Sequence, residues 1–200
     1  MKLVVISASQ RHSSQSRKVA NYIIKQSAGF DFKQTSLIDL GEHPLPLWDE
    51  KIWKHAGQWP EWLGEITVKI KEADAYVLVI PEWSGAATPA IKNFLLFFGE
   101  RETGHKPVLL ISISNEANGQ YPVSDMRAFG GKNNKWIYIP DHLIIRYVNE
   151  LLNKSEATGE NDRNIRARIA YSLQQLKLYA KQLRPLRENY PFDERFKYAM

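Results

Sequence analysis

The chemistry-bearing residues of this chain first gather in one polar stretch, Ser7-Ala8-Ser9-Gln10-Arg11-His12-Ser13-Ser14-Gln15-Ser16-Arg17-Lys18. It lies between an apolar run ending at Ile6 and a segment where Val19, Ala20, Tyr22, Ile23 and Ile24 recur at helical spacing. The start of a helix carries unpaired N–H groups and a partial positive charge, so it attracts anions. Ser9, Ser14 and Ser16 can donate from their side chains, with Gln15 between them. Arg11 can pair with a phosphate oxygen, and His12 can add to the same anion site. One serine is enough to cap a helix. A capped helix in a polar surface loop is the plainer reading, but so many serines beside an arginine exceed that need. The stretch has no glycine and no Lys-Ser or Lys-Thr pair after it, so it is neither a Walker A loop nor a dinucleotide fingerprint. Wrapping by hydroxyls favours a terminal phosphate monoester over a bridging pyrophosphate.

A second stretch, Pro81-Glu82-Trp83-Ser84-Gly85-Ala86-Ala87-Thr88-Pro89, suits a flat ligand. Small residues from Ser84 to Thr88 let such a ligand approach the backbone, and Trp83 offers a face or an edge to an aromatic ring. The alternative is a turn that holds a tryptophan, followed by Lys92 and Asn93 on a solvated helix face. A third stretch, Ser112 to Gly119, offers Ser114, Asn115 and Gly119, which read equally well as turn residues. The histidines at 12, 43, 55, 105 and 142 show no i, i+4 metal-ligand spacing.

Alternating elements must carry these loops. Lys2 to Ser7 reads as a buried strand without alternation, as suits a parallel sheet covered on both faces. Phe32 to Leu40 reads as the second strand, Tyr76 to Ile80 as the third, stopped by Pro81. Pro107 to Ile113 is the fourth and Trp136 to Ile139 a brief fifth. Helices are expected after strand one, from Trp59-Pro60-Glu61, from Pro89 to Gly99, and around Ser124 to Phe129. Residues 153–162 read as a polar loop. Beyond them Ile165, Ile169, Leu173, Leu176, Ala180 and Leu183 form one apolar stripe on a long helix, which Pro185 is expected to terminate. Such alternation predicts an α/β fold, a five-stranded parallel sheet with helices on both faces. Ligands of such sheets bind beyond the carboxyl ends of the strands, which selects the loops after strands one, three and four. The expected organisation is a single domain over 1–200 with a C-terminal tail at 186–200.

The composition narrows the function classes. The chain has 200 residues, a net charge of +5 and no cysteine. Disulfide scaffolds, cysteine-ligated zinc, iron–sulfur clusters and thiol nucleophiles are thereby excluded. No apolar run reaches the length of a membrane helix, and the first residues are too short an apolar stretch for a signal peptide, so a cytoplasmic protein is expected. The positive charge suits nucleic acid, an acidic membrane, an anionic small molecule, or ordinary solubility. Four tryptophans lie between Trp48 and Trp62 beside basic residues, an arrangement that single-strand binders also use. Asp49, Glu50 and Glu61 interrupt that track, which favours a wall over the core or a subunit interface. The C-terminal aromatics Tyr190, Phe192, Phe196 and Tyr198 are expected to dock on this subunit or a partner, or to fray.

Read together, the first two loops resemble the NADPH-dependent FMN reductase family of flavodoxin-like proteins. That family has a strand, then Gly-Ser-Leu-Arg-x-x-Ser-x-Asn, then a helix; here the stretch is Ala8-Ser9-Gln10-Arg11-His12-Ser13-Ser14-Gln15-Ser16. Its second motif is Pro-Glu-Tyr-Asn-x-Ser, then Leu-Lys-Asn; here Pro81-Glu82-Trp83-Ser84-Gly85-Ala86 and Ile91-Lys92-Asn93. Asp39-Leu40 with Pro44-Leu45-Pro46-Leu47, and Ala73-Asp74-Ala75, are similar to the family's intervening segments. The likeness covers roughly residues 3–150. Ala8 stands where the family has Gly, and Ser16 and Ser84 where it has Asn.

The resemblance implies a flavodoxin-like three-layer sandwich. It implies FMN as cofactor, with the phosphate near Ser9, Arg11, Ser14, Gln15 and Ser16. The isoalloxazine would lie against Pro81, Glu82, Trp83, Ser84 and Gly85, with Ser114 and Asn115 nearby. The expected activity is hydride transfer from NADPH or NADH to FMN and on to a small-molecule acceptor such as a quinone, flavin, azo compound or metal oxyanion. The protein would be a homodimer or homotetramer, with neither nucleic acid nor membrane as partner. The alternative is a non-enzymatic flavodoxin-like FMN-binding electron carrier, although flavodoxins are usually acidic and this chain is basic.

Overall fold

The computed structural model describes residues 1–54, 61–190 and 192–196. The expected helix start at Trp59-Pro60 lies outside the described residues, as do His55 and Tyr198. The five expected strands form β1 (Lys2–Ser7), β2 (Gln34–Asp39), β3 (Ala75–Pro81), β4 (Pro107–Ile113) and β5 (Ile137–Ile145). All pair in parallel in the order β2-β1-β3-β4-β5. Every residue of β4 is buried, which is why it lacks hydrophobic alternation: both sheet faces are covered.

The seven helices among the described residues are α1 (Gln15–Ser27), α2 (Lys51–Lys54), α3 (Glu61–Glu72), α4 (Pro89–Phe97), α5 (Glu100–Thr103), α6 (Tyr121–Phe129) and α7 (Glu160–Asn189). Successive strand residues face opposite sides and build two cores. On one side Val5, Val77 and Ile111 pack with Val19 and Ile23 of α1 and Ile169, Leu173 and Leu176 of α7. On the other Ile6, Leu78 and Leu110 pack with Ile66 and Ile70 of α3 and Ile91 and Phe94 of α4. This is a three-layer sandwich with the 2-1-3-4-5 order of flavodoxin-like proteins. The chain leaves β1 for opposite directions in the sheet, to β2 and later to β3, so a crevice opens between β1 and β3 at their carboxyl ends.

Several expectations change. The fifth strand does not end at Ile139 but runs to Ile145. It is an edge strand, and the register slips between Val108, opposite Tyr138, and Leu110, opposite His142. Pro140 sits in that irregularity, where no ladder donor is needed. Pro185 does not end the last helix, which continues to Asn189. Tertiary contacts hold both sides of the proline. Arg184 and Arg187 reach Asp74 at 2.9 and 3.2 Å, and the Tyr190 ring lies tilted against His105 with ring centroids 4.0 Å apart. Tyr190 and Phe192 thus dock on their own chain, Phe192 beneath the Arg101 guanidinium at 4.6 Å. The polar stretch 153–162 holds the start of α7. Its Asp162 is 2% exposed and accepts the N–H groups of Leu152 at 2.9 Å and Thr158 at 3.1 Å. The second strand is shorter at both ends than Phe32 to Leu40, although both those residues are core. Helices α2 and α5, each about one turn, were too short to leave a periodic signal.

Candidate active site

Ser14 has extended backbone and its hydroxyl accepts the N–H of Arg17 at 3.2 Å, which starts α1. The capping reading therefore holds for this serine, and Ser14 does not line the cavity that follows. Ser9 is buried and its hydroxyl accepts the N–H of Arg11 at 3.3 Å, bending the loop back on itself. Ala8 is outside the left-handed region, so this loop needs no glycine there. Its N–H donates to Val79 at 3.0 Å and its carbonyl accepts from the Thr88 hydroxyl at 2.7 Å, joining the loops after β1 and β3. Gly41 is required by close approach: a Cβ there would lie 2.7 Å from the Ser9 carbonyl oxygen.

Ser16, 1% exposed, keeps a hydroxyl with no hydrogen-bond partner, and the buried Oε1 of Gln15 has none either. Buried polar atoms are nearly always paired, so two orphans at a helix start call for a ligand. The flanking cations divide. Arg17 pairs with Asp39 at 3.3 Å and Glu42 at 2.8 Å. Lys18 donates to the Val148 and Leu151 carbonyls and to Asn153 at 2.6, 2.8 and 2.8 Å, and burial lowers its pKa despite Asp162 nearby. Only Arg11, exposed and without a carboxylate partner among the described residues, stays available; its guanidinium lies 5.3 Å from the Trp83 ring centroid. Of Arg11, Arg17 and Lys18, which all flank the helix start, Arg11 alone is thus left for an anion.

The loop after β3 is a two-residue hairpin. Trp83 and Ala86 exchange N–H to carbonyl bonds of 3.1 and 3.0 Å. Ser84 and Gly85 both take positive φ, 50° and 70°, the signature of a primed turn. Glu82 extends the β3–β4 ladder through its N–H to Ile113 at 3.1 Å. Its carboxylate accepts from the N–H groups of Gly119 and Tyr121 at 2.8 and 3.3 Å. After β4, the Ser114 N–H donates to Ile145 and the Ser114 hydroxyl accepts the Glu116 N–H at 3.1 Å.

These loops enclose a cavity of about 440 Å³ beyond the carboxyl ends of β1, β3 and β4. Ser9, Arg11, Gln15 and Ser16 form one end; Pro81, Glu82, Trp83, Ser84 and Gly85 another wall; Ser114 and Asn115 the third. The size lies within the range of cofactor pockets. Ser13, Glu116, Asn118 and Asn149 also line it and were not singled out. Asn149 follows β5, a loop outside the strand ends selected from the sequence. On the helix after that hairpin Lys92 is exposed and Asn93 half-buried, and both are engaged. Lys92 meets Asp125 at 2.8 Å, and Asn93 accepts the Trp48 N–H and donates to the Pro46 carbonyl, both at 2.8 Å. Beside the cavity, past Trp83, a groove of about 1450 Å³ carries Leu47, Leu96 and Phe129, exposed by 84%, 59% and 78%. No metal-ligand cluster occurs and no helix is long and apolar enough to cross a membrane, among the described residues.

A hydroxyl-lined helix start thus faces an aromatic hairpin at the switch point of a flavodoxin-like sheet, the place where such sheets take their ligands. Residues 1–150 match the family model of the NADPH-dependent FMN reductases, and the chain belongs to that family. The chain is similar to the NADPH azoreductase of Bacillus sp. (strain OY1-2), 34% identical over 119 residues, 60% of this chain and 62% of that protein. The match thus spans less than two thirds of that relative. The fold is similar to that of an oxidoreductase from Corynebacterium diphtheriae, with a TM-score of 0.67, 17% identity, and coverage of 90% of this chain and 97% of that one. It is similar also to the flavoenzyme NAD(P)H:(acceptor) oxidoreductase FerB of Paracoccus denitrificans, with a TM-score of 0.64, 18% identity and the same coverages.

Proposed function

We propose that the protein is an oxidoreductase that takes a hydride from NAD(P)H onto bound FMN and passes the electrons to a second, small-molecule acceptor. The observation that carries this reading is the buried, unpaired Ser16 hydroxyl in the cavity wall at the start of a helix. FMN supplies the hydride chemistry when bound, and the chain supplies binding, orientation and field. Ser16 through its hydroxyl and Gln15 through its side-chain NH2 would hold the phosphate with the free N–H groups of the first helical turn, and Arg11 would close over it. The Trp83 N–H is committed to Ala86, so the donors left beside the ring are the N–H groups of Ser84 and Gly85, which donate to no partner among the described residues. Trp83, with its edge shared between cavity and groove, would separate cofactor from acceptor.

The azoreductase relative makes an aromatic azo compound the first acceptor to test, with quinones next. The exposed Leu47, Leu96 and Phe129 support a homodimer through the groove. The test is an absorption spectrum of the protein with FMN before and after NADPH. Flavin bands that bleach on NADPH and return with acceptor support the reading. A protein that takes up no FMN refutes it, and one that binds FMN without NADPH turnover is an electron carrier instead.

A further inference from the structure

We propose that Glu82 is a positioning residue: its carboxylate latches the loop after β4 to the loop after β3 and so fixes one wall of the flavin cavity. This rests on the flavin reading above. The Glu82 backbone is anchored by its N–H to the Ile113 carbonyl at 3.1 Å. From that anchor one carboxylate oxygen receives the N–H of Gly119 at 2.8 Å and that of Tyr121 at 3.3 Å. Both are charge-assisted bonds, stronger than neutral ones, and Tyr121 opens α6, where negative charge is favoured.

The latched residue has little freedom of its own. Gly119 is buried with φ 114°, and a Cβ there would meet Ile144 Cγ2 at 2.8 Å. The other end of the loop is held as well. The Ser114 N–H donates to Ile145 at 2.9 Å and its carbonyl accepts from Val148 at 3.1 Å. Between these two ends Asn115, Glu116 and Asn118 are exposed and line the cavity. A second tie works in the same direction: Asp125 of α6 accepts the Ala87 N–H at 2.9 Å. Cutting the Glu82 bonds therefore loosens the Gly119 end of the cavity wall, leaving the Asp125 tie and the Arg146 bond to the Ala117 carbonyl, while the strands stay paired. A wall that must be ordered on binding weakens affinity, because the ordering entropy is charged to the ligand.

The wall lies on the ring side of the cavity and the phosphate end on α1, so the latch acts alike on FMN and riboflavin. The test uses the full chain with Glu82→Ala and Glu82→Gln. Dissociation constants for FMN and riboflavin are read from flavin fluorescence, amide exchange is followed at Gly119 and Tyr121, and the urea midpoint is measured. Glu82→Ala is expected to weaken both flavins by the same factor, about tenfold, with faster exchange at Gly119. Glu82→Gln keeps a carbonyl oxygen as acceptor and is expected to restore affinity to within about threefold of the parent. Glu82→Ala binding both flavins as the parent does overturns the proposal, as does Glu82→Gln being no better than alanine. If the parent takes up neither flavin, the functional reading falls first, and the latch as a flavin-positioning device with it.

Discussion

Ser14 and Ser16 are two residues apart, of one type, and their hydroxyls stand in opposite states, one bonded and one unpaired. The Ser14 hydroxyl is bonded to the Arg17 N–H and caps α1. The Ser16 hydroxyl is buried with no partner. Ser14→Ala therefore removes a helix cap, at about 1 kcal/mol of stability. That corresponds to a fall in Tm of about 2–4 °C for a domain of this size. Ser16→Ala removes an atom whose burial unpaired costs about 1–3 kcal/mol, and alanine is the better helix former. The apoprotein should be as stable as the parent or more so. Binding should respond the other way. If Ser16 donates to a phosphate, losing one charge-assisted bond costs about 1.5–3 kcal/mol, about tenfold to a hundredfold in the dissociation constant. Ser14→Ala should stay within about threefold. Urea melts of the apoproteins and fluorescence titrations with FMN and riboflavin measure both quantities; riboflavin lacks the phosphate and should bind Ser16→Ala as it binds the parent. If Ser16→Ala destabilises the apoprotein by more than about 1 kcal/mol and leaves FMN affinity unchanged, the hydroxyl is structural and the phosphate lies elsewhere.

Arg11→Ala should weaken FMN by about 1.5–3 kcal/mol and leave riboflavin unchanged in the same titration, with little loss of stability, because the contact with Trp83 is an exposed one; equal losses for both flavins would show that Arg11 acts through the tryptophan. Ser84 sits at φ 50° in a turn position that asparagine tolerates better, so Ser84→Asn should raise Tm by about 2–4 °C, for roughly 1 kcal/mol of relieved strain. A lower Tm would mean that the turn is not strained. Burial alone would raise the Asp74 pKa, but the Lys2 N–H and the Arg184 and Arg187 guanidiniums hold it below the ordinary carboxylate range. Its contribution is complete above the unfolded pKa of about 4 and is lost as pH falls through the lower folded value. Asp74→Asn should thus flatten the acid limb of a stability–pH curve, and an unchanged slope there would count against the assignment.

Much of the fold was legible because the central strands β1, β3 and β4 are compact apolar runs and the loops at their ends are polar. Tyr76 to Ile80 and Pro107 to Ile113 announce buried parallel strands by lacking alternation. Pattern was a poor guide at Pro185, expected to end the last helix, and after Ile139, where the fifth strand was expected to stop. Pro185 and Pro140 lie inside a helix and a strand because long-range contacts and edge position remove the penalty, and neither is encoded locally. In the site, residue types near α1 suited an anion, but could not tell which serine caps the helix and which is left unpaired. Arg17 and Lys18 looked equivalent to Arg11 in sequence; their partners Glu42 and Val148 are brought in by other loops. The role of Asn149 gave no local signal at all, since it reaches the cavity only through the end of β5.

The sequence by itself therefore determined the class: a cysteine-free α/β chain whose loops after strands one and three carry a phosphate-type and a ring-type motif. Those traits are local, set by composition, periodicity and spacing. Only the tertiary structure decided which polar atoms remain unpaired. A hydroxyl is a cap or a ligand donor according to what else lies within hydrogen-bond reach, and that depends on residues distant in the chain. Ser16, Arg11 and the Glu82 latch owe their parts to that accounting of donors and acceptors.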